Sequence, residues 1–155
     1  MEKKLTVSRN KTLKLTNAVS ISVQENDFAD LSKNIIMMDN YIKSKGYQPV
    51  GPLIQHTGLT VNNSDEVGIS IEVIRQATGF INNVERPYKI ESTLRVRNCY
   101  YVRYCGAREK LKFAYDKLAL TAFEEDVTLK GDSYSIFLEE GDDQITVDVF
   151  MECED

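Results

Sequence analysis

The sequence predicts an α+β fold: two pseudo-symmetric strand–helix–strand–strand repeats in one antiparallel sheet, with two main helices on one face. Three observations predict it. Apolar residues recur at helical spacing in two segments, Phe28–Ile42 and Leu111–Ala122. After each segment, apolar and polar residues alternate as they do in half-buried strands. Sliding the chain along itself until Leu31 meets Leu111 lays one set of landmarks on the other.

The elements follow in chain order. Residues 1–18 are polar and basic and receive no element. Val19, Ile21 and Val23 share one face of a strand. Asp27 is the expected helix N-cap. Phe28, Leu31, Ile35, Met38 and Ile42 form the helical stripe, and Lys43, Lys45 and Gly46 form its C-terminal signal. Gln48–Thr57 reads as a strand, the polar "NNSDE" as a loop, and Val67–Val73 as a strand by clean alternation. Residues 77–92, with Gly79 and Pro87, read as a long connection able to hold a short helix. Thr93–Cys105 is a long strand. Gly106 and Ala107 open a second helix carrying Leu111, Tyr115, Leu118 and Ala122. That helix ends in "FEED", against its own dipole. Ser133–Glu139 and Ile145–Met151 close the chain as a hairpin around "EEGDD".

Composition narrows the class. Hydrophobic residues make up 42% and charged residues 28%, so the 155 residues are expected to form one soluble domain with a sizeable core. No run approaches the ~20 apolar residues of a membrane helix, and the N-terminus lacks a signal-peptide core, so a cytoplasmic protein is expected. Cys99 and Cys105 lie about 20 Å apart along one strand and do not bridge each other. With Cys153 the count is odd, which fits neither a disulfide framework nor a zinc site. No cofactor is expected.

Net charge is −5 but uneven. Val84–Lys112 holds eight basic residues against three acids, and Glu124–Asp155 twelve acids against one lysine. Arg95, Arg97 and Arg103 share one strand face, where acids from the C-terminal third are expected to neutralise them across the sheet. No helix-turn-helix pattern accompanies them, so direct nucleic-acid binding is not expected.

The same offset places Leu31, Ile35, Met38 and Ile42 on Leu111, Tyr115, Leu118 and Ala122, and Gly51 on Gly131. It also places Val67, Ile69 and Ile71 on Val147, Val149 and Met151 without a gap. The leading strands match poorly in phase. A single domain over residues 1–155, with halves at about 19–76 and 93–151, follows. A pseudo-twofold axis is expected to leave a groove between the helices, a favoured place for a ligand.

Four stretches carry a family resemblance: "RYCGAREKLKFAYDKL", "KGYQPVGPLIQHT", "DEVGISIEV" and "GDSYSIFLEEGDDQITVDVFM". In order and spacing they resemble the GyrI-like domain, the effector-binding domain of bacterial multidrug-responsive transcription regulators. That family also has stand-alone members, a gyrase inhibitor and some hydrolases. The resemblance covers roughly residues 19–151. It implies a pocket for a lipophilic, often cationic molecule, with aromatic faces and a buried carboxylate. The family's carboxylate position holds Ser135 here, and its second tyrosine is Phe137. Arg108 stands where an aromatic is common. Strong cation selectivity is therefore not expected.

The candidate ligand residues are Tyr104, Ser135, Phe137, Arg108, Gln55, Thr57, Tyr115, Met38 and Glu72. Tyr104 is the family-matched aromatic, and Ser135 and Phe137 should face the helices. Gln55 and Thr57 are their mates by the repeat offset. Arg108, in the first helical turn, would favour an anionic or carbonyl-bearing ligand. Tyr115 and Met38 lie on the helical stripes, as core or as pocket wall. Glu72 is the replacement carboxylate if it reaches the groove. With one histidine, His56, and no nucleophile motif, no catalytic residue is assigned and a non-enzymatic role is expected.

The expected function is that of a stand-alone module which binds a small, largely hydrophobic ligand for sensing or sequestration, as a monomer or homodimer. The alternative is a protein-interaction module of the gyrase-inhibitor kind, offering its acidic C-terminal third to a basic partner. The third is a hydrolase of a hydrophobic electrophile, through Tyr104 and Glu72.

Overall fold

The computed structural model describes residues 5–23, 30–61 and 64–154. Six strands and two helices are resolved among them: β1 (Ser8–Val23), α1 (Leu31–Ser44), β2 (Pro49–Val61), β3 (Val67–Ala77), β4 (Tyr88–Ala107), α2 (Lys112–Glu124), β5 (Ser133–Glu140) and β6 (Gln144–Glu152). Asp27, the expected N-cap, and Phe28, at the start of the first helical stripe, lie outside the described residues.

The hydrogen-bonded order of the strands is β1-β3-β2-β5-β6-β4, and it closes as an antiparallel barrel. This corrects the expected fold class, an α+β antiparallel sheet with two main helices on one face. The reason lies in the leading strands. β1 has 16 residues and β4 has 20, where the sequence reading gave five and thirteen. Polar residues such as Asn10, Lys11 and Lys14 hid the first half of β1 from a hydrophobic pattern. Left-handed asparagines, Asn10 and Asn17 in β1 and Asn98 in β4, interrupt the alternation of both strands. The 77–92 connection forms no helix: β4 begins at Tyr88, just after the cis Arg86–Pro87 bond. No helix among the described residues is long and apolar enough to cross a membrane.

The chain divides into two compact units, residues 14–95 and residues 1–13 with 96–155. In the first, β3 lies between β1 and β2. Its core joins Val19, Ile21 and Val23 of β1 to Ile71 and Val73 of β3 and to Met38 and Ile42 of α1. In the second, β6 lies between β4 and β5. Its core joins Tyr100, Val102 and Tyr104 of β4 to Ile145, Val147 and Val149 of β6 and to Ala114, Leu118 and Ala122 of α2. Each fully buried aliphatic side chain contributes about 1.5–3 kcal/mol of transfer free energy.

The registers sharpen the repeat. Gln55 lies opposite Val73, and Ser135 opposite Val149. With Gln55 laid on Ser135, Val73 therefore falls on Val149, whereas the ungapped match had put Ile69 there. The match of β3 to β6 is corrected by that step from Ile69 to Val73, the extra length of the β2–β3 hairpin. Ile21 lies opposite Val73, and Val102 opposite Val149. The leading strands thus correspond with Ile21 laid on Val102, which also lays Asn17 on Asn98. The helices, with Leu31 laid on Leu111, would instead bring Ile21 onto Tyr101. One residue of slip reverses every face, which is why the leading strands looked out of phase.

Candidate functional site

On the helix-facing side of the second unit, α2 and β5 bring two candidates together. The Tyr115 hydroxyl lies 2.5 Å from Ser135 Oγ. Ser135 is buried and Tyr115 half-buried, and burial raises the tyrosine's pKa above its ordinary value. Phe137 lies one step along β5, opposite Val147, which in turn lies opposite Tyr104. Ser135, Phe137, Tyr104 and Tyr115 therefore share one side of the sheet, as strand parity required. Tyr104 is almost wholly buried and donates its hydroxyl to the Ala107 carbonyl at 2.5 Å, which suits a core tyrosine.

Arg108 is separate. It opens the 3-10 turn Arg108–Lys110, stays exposed, and pairs with Glu140 at 3.4 Å. The helix opens later than expected, at Lys112, so Arg108 does not occupy its first turn.

In the first unit, Gln55 and Thr57 lie opposite Val73 and Ile71, on the side that faces α1. Gln55 Nε2 is 3.4 Å from Thr57 Oγ1. Met38 is fully buried at the centre of this core. Glu72 has the opposite parity. Its Oε1 lies 3.4 Å from His56 Nδ1, directly across the strand pair. The hydrogen bond with His56 is the main cause that lowers the Glu72 pKa, and burial opposes it. Glu72 is thus already engaged, on the sheet face away from Gln55 and Thr57.

The second unit holds a carboxylate at the equivalent place that the sequence reading did not single out. Laying Val73 on Val149 lays Glu72 on Asp148. Asp148 accepts Arg103 Nε at 2.8 Å, Arg103 Nη2 at 3.1 Å and the Tyr101 hydroxyl at 2.8 Å. Asp148 is buried, and its carboxylate holds the Arg103 pKa above the ordinary arginine value. Arg103 lies directly opposite Asp148 in the register, so the expected cross-sheet neutralisation of Arg103 is met by this residue. The signal was the polar Thr146–Asp148 step in an otherwise apolar strand.

A separate cleft of about 470 Å³ opens beside the β5–β6 hairpin, lined by Cys105, Thr146, Glu139 and Asp143 among others. None of the nine sequence candidates is among its described lining residues. The three cysteines are free, with Cys99 and Cys153 buried. Burial is the main cause that pushes the Cys99 thiol up to about 11. Among the described residues, no group of three or more His, Cys, Asp or Glu side chains is placed to hold a metal ion.

No family model matches the chain, and no curated protein does. Among solved structures, a hydrolase from Listeria innocua is similar, with a TM-score of 0.60 at 11% identity. The match covers 99% of this chain and 93% of that one. At that identity the likeness concerns the fold alone.

Proposed function

We propose that the chain is a GyrI-like small-molecule-binding module whose ligand is largely apolar and uncharged. The observation that carries this reading is the Tyr115–Ser135 hydroxyl pair, with Ser135 buried and Tyr115 half-buried, beside Phe137 on an otherwise apolar wall. Two neutral hydroxyls offer a donor and an acceptor to a carbonyl, ether or hydroxyl group. They offer no charge to pair a buried cation. The repeat adds support, since the resemblance implies two related halves and each strand of one unit has a counterpart in the other. The two central-strand carboxylates are taken by His56 and by Arg103 with Tyr101, which further favours a neutral ligand.

A thermal-shift screen with neutral aromatics, lipophilic cations and lipophilic anions tests this. Neutral aromatics are expected to stabilise the chain, and Tyr115→Phe with Ser135→Ala is expected to remove the shift. Stabilisation by cations alone, or a shift that both variants retain, would defeat the reading. A hydrolytic role is the second reading, favoured by the His56–Glu72 couple and the description of the structural neighbour. Ester turnover lost in His56→Ala would replace the first reading with it.

A further inference from the structure

Two hydroxyls carry two hydrogens, and the bond between Tyr115 and Ser135 consumes one of them. One O–H is left over, and its owner depends on which group donates. If Tyr115 donates, the spare hydrogen sits on Ser135, which is 3% exposed among apolar neighbours. The Ser135 side chain has no further hydrogen bond among the described residues to receive it, and a buried donor left unmet is costly. If Ser135 donates, the spare hydrogen sits on the phenol, the half-buried member of the pair, which a ligand can reach. The second arrangement leaves no donor of the pair unmet inside the protein. It also agrees with the electrostatics. Burial raises the Tyr115 pKa and the Ser135 hydrogen bond opposes it, as a donor to the phenol oxygen does.

Neighbouring hydroxyls of this core are spent inside the protein. Tyr100 donates to Glu125 at 2.6 Å, Tyr104 to the Ala107 carbonyl and Thr121 to the Lys117 carbonyl. Val149 lies opposite Ser135 and Val147 opposite Phe137, so the side chains across the strands offer no acceptor. We infer that the ligand of this site is a neutral carbonyl compound with no hydrogen-bond donor of its own, a ketone or an ester. Its oxygen accepts from the Tyr115 hydroxyl and its apolar body lies beside Phe137. The inference rests on the small-molecule reading above and narrows the ligand to one class. An alcohol also accepts from Tyr115, but its own O–H then meets the apolar wall. A hydrocarbon suits the wall but leaves the tyrosine O–H without a partner.

Titration of the full chain with acetophenone, 1-phenylethanol and ethylbenzene, followed by nuclear magnetic resonance, is the test. The three share one carbon skeleton and differ in the oxygen alone. Acetophenone is expected to bind about tenfold more tightly than either of the others. In Tyr115→Phe its advantage over ethylbenzene should vanish. The carbonyl stretch of bound acetophenone, read by infrared difference spectroscopy, should then rise toward its value in an alkane. Ethylbenzene binding as tightly as acetophenone, or 1-phenylethanol binding more tightly, overturns this inference and leaves the small-molecule reading standing. A carbonyl stretch that Tyr115→Phe does not move overturns it too. Binding of none of the three overturns it as well, and the wider thermal-shift screen then decides the reading beneath it.

Discussion

Lys45 stands at the end of α1, and Glu125 stands at the matching place at the end of α2. The backbone around them is the same. Tyr47 N–H reaches the Ile42 carbonyl and Val127 N–H reaches Ala122, while Gly46 and Asp126 both hold positive φ. The charges are opposite. Lys45 suits the negative end of a helix and pairs with Glu85 at 2.8 Å. Glu125 does not suit it. It is held instead by Arg9, with Nε at 2.8 and 2.9 Å from its two oxygens, and by the Tyr100 hydroxyl at 2.6 Å. This accounts for Glu125 in the acidic "FEED" ending. The comparison separates two things a repeat can conserve. Hydrogen-bond geometry and core stripe are kept between the units, while each unit satisfies its polar groups with its own partners.

The largest effects test the shared part. Met38→Ala and Leu118→Ala each remove a fully buried side chain at equivalent places. Each should cost about 2–5 kcal/mol in urea unfolding. Hydrogen exchange should show Met38→Ala lowering protection first within residues 14–95, and Leu118→Ala first within 96–154. Equal loss across the whole chain in both variants would break the division into two units.

The central-strand carboxylates test the private part. Asp148→Asn leaves the Arg103 guanidinium without its bidentate acceptor, and Arg103 is 58% exposed, so water compensates in part. About 1.5–3 kcal/mol of stability should be lost. Glu72→Gln, 30% exposed and opposite one imidazole, should cost under about 1 kcal/mol. Chemical denaturation of both variants measures the difference. Equal costs would show that the two sites are one device.

The helix ends predict opposite pH responses. The Arg9 and Tyr100 hydrogen bonds draw the Glu125 pKa down to about 2, from an ordinary value of 4.5. A depressed carboxylate stabilises the fold above its unfolded pKa, and the gain is lost as pH falls toward the folded one. Glu125→Gln should therefore flatten the melting temperature between about pH 4.5 and pH 2. Lys45 is raised by Glu85, so its contribution is present at neutral pH and lost above its ordinary value of 10.5. Lys45→Met should change only that alkaline limb. Both pairs lie at the surface and are partly exposed, so the shifts in melting temperature should be small.

Much of the plan was legible because helical stripes and strand alternation come from burial, and burial is written in residue type. Leu111, Leu118 and Ala122, read as core from spacing alone, do pack there. So was the parity of Ser135 and Phe137. Closure of the barrel was not legible, because the polar first half of β1 carries no hydrophobic pattern to mark it as strand. Neither was the slip between β1 and β4, because the match of Ile21 to Val102 appears only through the cross-strand register. The first turn of α2 misled for a related reason: Gly106 and Ala107 resemble a helix start, yet both pair with β6 as strand residues. Glu72 and Asp148 correspond only once the longer β2–β3 hairpin is allowed for, a relation that the ungapped match concealed.

The smallest effects isolate the shared backbone from everything attached to it. Gly46 has φ +88°, and a Cβ added there meets nothing within 4 Å. Gly46→Ala therefore introduces no clash, and its cost is that of a left-handed backbone alone, about 1 kcal/mol. Asp126 holds the same position after α2 with φ +57°, and it already bears that strain. Asp126→Gly should relieve it and remove a negative charge from the helix C-terminus, for a gain of up to about 1 kcal/mol. The two substitutions should thus move urea midpoints in opposite directions by similar amounts. If both destabilise, Asp126 serves its unit through its carboxylate, and the position after each helix belongs with the private partners, not with the shared backbone.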